Sequence, residues 1–98
     1  MSPGRGESRR FQAEIKPGRA GAAFVEVPFD VGEVFGTLGP VPVRATLDGT
    51  AFRATIEPVG GRHRLDVRLE IREAIGKGVG DTIHVVLEPG AGASGEVR

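Results

Sequence analysis

Ninety-eight residues with 13 basic and 13 acidic side chains, 39% hydrophobic residues and no cysteine describe one small domain with a thin burial margin. The missing cysteines exclude disulfides, thiol nucleophiles and thiolate metal sites, and the balanced charge leaves no global field to recruit nucleic acid or an anionic membrane. No apolar run approaches the roughly 20 residues of a membrane span, and no leader pattern opens the chain, so the expectation is a soluble, cytoplasmic protein.

Residues 1–8 and 89–98 are rich in Gly, Ser and Pro without apolar periodicity and read as flexible tails. Between them, residues 9–88 form a single domain in which turn signals recur at the spacing of a small all-β sandwich or barrel. RRFQAEIK (9–16) alternates Phe11, Ala13 and Ile15 against polar residues, and Pro17-Gly18 closes it. AAFVEV (22–27) ends at Pro28, which cannot donate to a ladder. That strand is apolar on both faces, so its pattern leaves open whether Phe24 or Val25 points inward. Asp30, three residues before Glu33, caps a helix of one or two turns that Gly36 stops.

VPVRATL (41–47) and TAFRATI (50–56) flank Asp48-Gly49, a strong hairpin signal, and TIEPV (55–59) and RHRLDVRL (62–69) flank Gly60-Gly61. Val43, Ala45 and Leu47, then Phe52, Ala54 and Ile56, then Leu65, Val67 and Leu69 alternate onto an inner face. EIREAIGKGVGD (70–81) places Ile71, Ala74 and Ile75 at helical spacing with Gly76 as C-cap, before a turn through Gly78, Gly80 and Asp81. TIHVVLEP (82–89) supplies a last strand with Ile83, Val85 and Leu87 inward. Six strands and two short helices hide their edges best in a small closed or partly closed barrel.

The serines are Ser2, Ser8 and Ser94, all in the terminal segments, and there is no Tyr or Trp. The folded body therefore lacks a serine nucleophile, a tyrosine acid and a tryptophan platform. Two-residue turns pair Leu47 with Thr50, hence Arg44 with Arg53, and Val59 with Arg62, hence Glu57 with Arg64 and Arg53 with Arg68. Arg44, Arg53 and Arg68 then lie in one outward row across three strands. Like charges placed opposite each other destabilise a sheet, so something must offset them. Carboxylates such as Glu14, Glu26, Glu57 or Asp66 would make the row a solvated charge network. An exogenous phosphate or carboxylate would make it an anion site.

The two histidines, His63 and His84, read as surface residues, and no metal-ligand spacing is present. Gly76–Asp81 follows a helix and precedes a strand, whereas a phosphate cradle sets its glycines before a helix N-terminus. No catalytic residues, metal or cofactor are expected.

LDVRLEIREAIGKGVGDTIHVVLE (65–88), with AAFVEVPFDVGEVFG and VPVRATLDGTAFRATIEP, resembles a mostly bacterial family, domain of unknown function nineteen-oh-five. The signals are Phe24 to Pro28, Phe35-Gly36, the Asp48-Gly49 hairpin with Phe52, and Glu70-Ile71-Arg72 through Gly80-Asp81. The resemblance implies a double-split β-barrel, related in fold to the AbrB and MazE transcription factors. Family members often precede a YdeI/OmpD-associated domain, and a chain stopping at Arg98 would be a stand-alone version. It carries no established activity.

EIREAIGKGVGD is also similar to the AbrB pattern, with Arg68 and Arg72 near the region where basic loops grip phosphates. Residues 9–88 carry 11 basic and 11 acidic side chains, which is not the basic surface of a DNA binder. The sequence thus points to a non-enzymatic binding or accessory module, monomeric or homodimeric. It would take a small anion or a protein partner through Arg44, Arg53, Arg68 and Arg72, or in a barrel-end cleft. A DNA-binding dimer of the AbrB/MazE type is the alternative.

Overall fold

Alternating apolar residues build nearly all of the core. The computed structural model describes residues 8–36 and 39–90. Its strands are β1 (Arg9–Glu14), β2 (Lys16–Pro17), β3 (Ala23–Glu26), β4 (Val41–Leu47), β5 (Thr50–Val59), β6 (Arg62–Asp66) and β7 (Thr82–Pro89). They form one antiparallel sheet in the order β1-β7-β4-β5-β6-β3-β2. Helices α1 (Val31–Phe35) and α2 (Leu69–Ile75) and a 3-10 turn at Arg19–Gly21 complete it.

The expected first strand divides at Ile15. Its first part pairs with β7 at one edge of the sheet and its remainder pairs with β3 at the other. Ile15 joins the two edges: its N–H donates to the Asp81 carbonyl at 2.9 Å and its carbonyl accepts from Gly80 N–H at 2.8 Å. The sheet is thereby nearly closed into a barrel of seven strands. Ile15 is fully buried, as are Val25, Leu47, Ile56, Leu65, Val67, Ile83, Val85 and Leu87. Phe11, Phe29 and Phe35 pack on this core, with Phe11 edge-on to Phe29 at 5.9 Å.

The turns follow their sequence signals. Asp48 and Gly49 have φ of 46° and 90°, the positive values a two-residue hairpin of the primed type requires. Asp30 Oδ1 accepts from Glu33 N–H at 3.1 Å and Gly36 ends α1 in the left-handed region. Phe24 and Val25 are both buried, but only Val25 belongs to the core. Phe24 lies on the outer face with the Arg64 guanidinium 4.0 Å over its ring.

Two expectations fail at one place. β6 leaves β5 after Ile56↔Leu65 and continues along β3, where Val67 N–H donates to the Ala23 carbonyl at 2.9 Å. Arg68 therefore caps α2 instead of pairing with Arg53, and Leu69 begins that helix 57% exposed instead of pointing inward. The tails expected at 1–8 and 89–98 lie mostly outside the described residues. Within them, Pro89 ends β7, and Gly90 N–H donates to the Pro42 carbonyl at 3.0 Å.

Because Ile15 fills the seam between the two edges, Ile15→Ala is expected to cost about 2–5 kcal/mol of unfolding free energy. Urea titration measures that cost, and faster hydrogen exchange at Gly80 and Ile15 would place the damage at the seam.

Candidate functional site

The β4–β5 hairpin carries the first two arginines. Arg44 stands opposite Arg53 on β5, and on its other side opposite Glu88 on β7. The register follows from the tight turn, and the turn is held from outside. Asp48 N–H donates to the His84 carbonyl at 2.9 Å, while Asp48 Oδ1 accepts from His84 N–H at 2.9 Å. Its other oxygen, Oδ2, takes the Lys77 ammonium at 2.8 Å. Gly76-Lys77-Gly78 is a helix C-cap running into a turn, and Asp81 Oδ2 accepts from Gly78 N–H at 2.8 Å. The glycine-rich loop thus works as a strut for the hairpin.

Arg44, Arg53 and Arg68 are exposed, and among the described residues none of their side chains forms a hydrogen bond or ion pair. The carboxylates expected to offset them behave differently. Glu26 holds Arg62 at 3.1 Å and Lys16 at 3.8 Å. Glu57 and Asp66 line a groove of about 250 Å³ together with Phe52, Arg53, Thr55 and Arg68, without forming an ion pair to either arginine. The groove opens where β6 diverges from β5, so the departure from the expected ladder also creates the space between Arg53 and Arg68.

Arg72 is placed elsewhere. Its Nε donates to the Val67 carbonyl at 3.0 Å and Nη2 to the Gly21 carbonyl at 3.2 Å, so two of its donors tie α2 to the barrel. Arg64 is likewise committed to covering Phe24, with its Nε buried and without a hydrogen-bond partner.

A second cleft, about 640 Å³, lies between the end of β1, the link from β3 to α1 and the β5–β6 turn. Glu14, Lys16, Glu26, Asp30, Arg62 and His63 supply its polar lining. Three of these neutralise one another through Glu26, and Asp30 is occupied as the α1 cap. His84 is exposed on β7, where its ring nitrogens stand 3.4 Å from the Gln12 amide.

These features define a small antiparallel β-barrel domain with a groove on its outer wall lined by two arginines and two carboxylates. Residues 11–87 match the family described as Domain of unknown function (DUF1905), and the chain belongs to that family. No curated protein matches the chain. Among the described residues, no helix is long and apolar enough to cross a membrane.

The Lys77 hydrogen bond, followed by that from His84 N–H, holds the Asp48 carboxyl below its ordinary 3.8, and Asp48 in turn raises Lys77 above 10.5. The depressed carboxyl contributes stability that is full above its unfolded value and lost as pH falls through the folded one. The raised ammonium contributes stability that is full below its unfolded value and lost as pH rises through the folded one. Asp48→Asn keeps a residue that tolerates positive φ and removes the charge. Urea melts are expected to show wild type above this variant at pH 7, with the gap closing in acid below the ordinary carboxyl value and again in strong alkali.

Proposed function

We propose that this domain is a non-enzymatic binding or accessory module that recognises an anionic group through Arg44, Arg53 and Arg68. The observation that carries this reading is their lack of any internal partner: all three guanidinium groups are exposed and unpaired among the described residues. Arg44 and Arg53 face each other directly, an arrangement that costs free energy in an empty sheet. A phosphate or carboxylate between them turns repulsion into charge-assisted, bidentate hydrogen bonds. The mixed cleft around Glu26 supports anion binding less well, since its cations already have a carboxylate.

The test is a titration of the isotopically labelled protein with inorganic phosphate and with a dicarboxylate, followed through the arginine Nε–H signals. The expected result is saturable shifts at Arg53 with Arg44 or Arg68, weakened about 10–100-fold in Arg53→Ala, as loss of a hydrogen bond to a charged group implies. Duplex DNA in the same buffer series probes the AbrB-type alternative, which demands affinity falling steeply with salt. Absence of any shift at these three arginines would overturn the proposal.

A further inference from the structure

Strand β5 has ten residues, but β6 pairs with it only over Ile56–Val59. Thr50–Thr55 pair on one side with β4, and among the described residues nothing pairs with their other side. The direction of each backbone group follows from alternation along an antiparallel strand. The Pro42 carbonyl points toward β7, where it accepts from Gly90 N–H. The Pro42↔Thr55 pair is therefore not hydrogen-bonded, and Thr55, Arg53 and Ala51 turn their N–H and C=O groups away from β4, onto the open edge. From Ala51 to Thr55 this edge runs about 13 Å at the usual strand rise, long enough for about five added residues.

We propose that this edge accepts an extended acidic peptide from a protein partner as an added strand. The inference rests on the arginine reading above and names its ligand. A strand lying here meets the hydrogen-bonding groups of Ala51, Arg53 and Thr55. The side chain it sets opposite Arg53 shares the outer face with Arg44 and Arg68, so a carboxylate there meets unpaired guanidinium groups, in a groove that Glu57 and Asp66 also line. Its alternate side chains fall beside half-buried Phe52 and Ala54, which favours small apolar residues. Exposed Leu69, directly after Arg68, adds an apolar margin. Charge selects this occupant over a second copy of the chain. Antiparallel self-pairing centred on Arg53 would set two Arg53 side chains opposite each other, a destabilising juxtaposition.

The experiment titrates the protein with a capped pentapeptide alternating Glu and Val, and with two isomers N-methylated on one or the other set of alternate amides. The parent and one isomer are expected to bind. The other isomer, whose methyl groups face β5, should lose at least tenfold, as should Arg53→Ala with the parent peptide. Hydrogen exchange at the Ala51, Arg53 and Thr55 amides should slow when peptide is added. If both isomers bind like the parent while Arg53→Ala still weakens phosphate and peptide alike, strand addition is overturned and the anion reading stands. If neither peptide nor phosphate responds to Arg53→Ala, both fail. A concentration-dependent dimer in sedimentation equilibrium that protects the same three amides without peptide would overturn the acidic partner in favour of self-pairing.

Discussion

A single continuous stretch, residues 9–17, supplies both edges of the sheet, and one residue between them must satisfy both. Ile15 does so with its side chain in the core and both backbone groups bonded to the turn before β7. An open sheet of this size would leave two edges of unpaired N–H and C=O groups in water, an invitation to association. Bringing the edges together around Ile15 removes most of that exposure and gives the alternating residues of β1, β4, β5 and β7 a common interior. The hairpin, α2 and the groove all take their positions from this closure. The strut from Asp48 to Lys77 and His84 ties the hairpin to the segment that also anchors Ile15.

Local turn chemistry made much of this legible in the amino-acid sequence. A two-residue turn leaves no freedom of register, so Asp48-Gly49 determines every pair from Leu47↔Thr50 to Val41↔Ile56, including Arg44↔Arg53. Gly60-Gly61 does the same for Val59↔Arg62 through Ile56↔Leu65. Beyond that point the arithmetic fails, because β6 has a second neighbour: Val25 and Phe24 engage Leu65 and Asp66 from the other side and draw the chain away from β5. Alternation carried the inward assignment correctly to Val67 and then misassigned Leu69, where strand period gives way to helix. Ile15 likewise falls in perfect alternation, and nothing in its residue type marks a strand that exchanges partners there. Phe24 and Val25 are ambiguous in the sequence because that strand is apolar on both faces; the resolution comes from Arg64, reached only through the β3–β6 pairing.

The arginine face was legible in its members and not in its shape. Arg44 and Arg53 follow from the hairpin, whereas the relation of Arg53 to Arg68 depends on a divergence between strands that no local signal announces. Arg72 matches Arg44, Arg53 and Arg68 in residue type, yet its donors serve the Val67 and Gly21 carbonyls. An arginine on a short helix can hold backbone or hold ligand. The distinction lies in which carbonyls tertiary packing brings within reach.

The pairing of β1 with β7 also governs the order of assembly. β4, β5 and β6 are joined by tight turns and can pair as soon as they are made, whereas β1 must wait for a partner some 70 residues later in the chain. During synthesis on the ribosome, the β4 edge that β7 will cover stays bare, and so do Phe11 and Ala13. The interval before β7 emerges is thus the period of greatest exposure to misassociation. Its length is set by the topology of the barrel and not by the strength of its core.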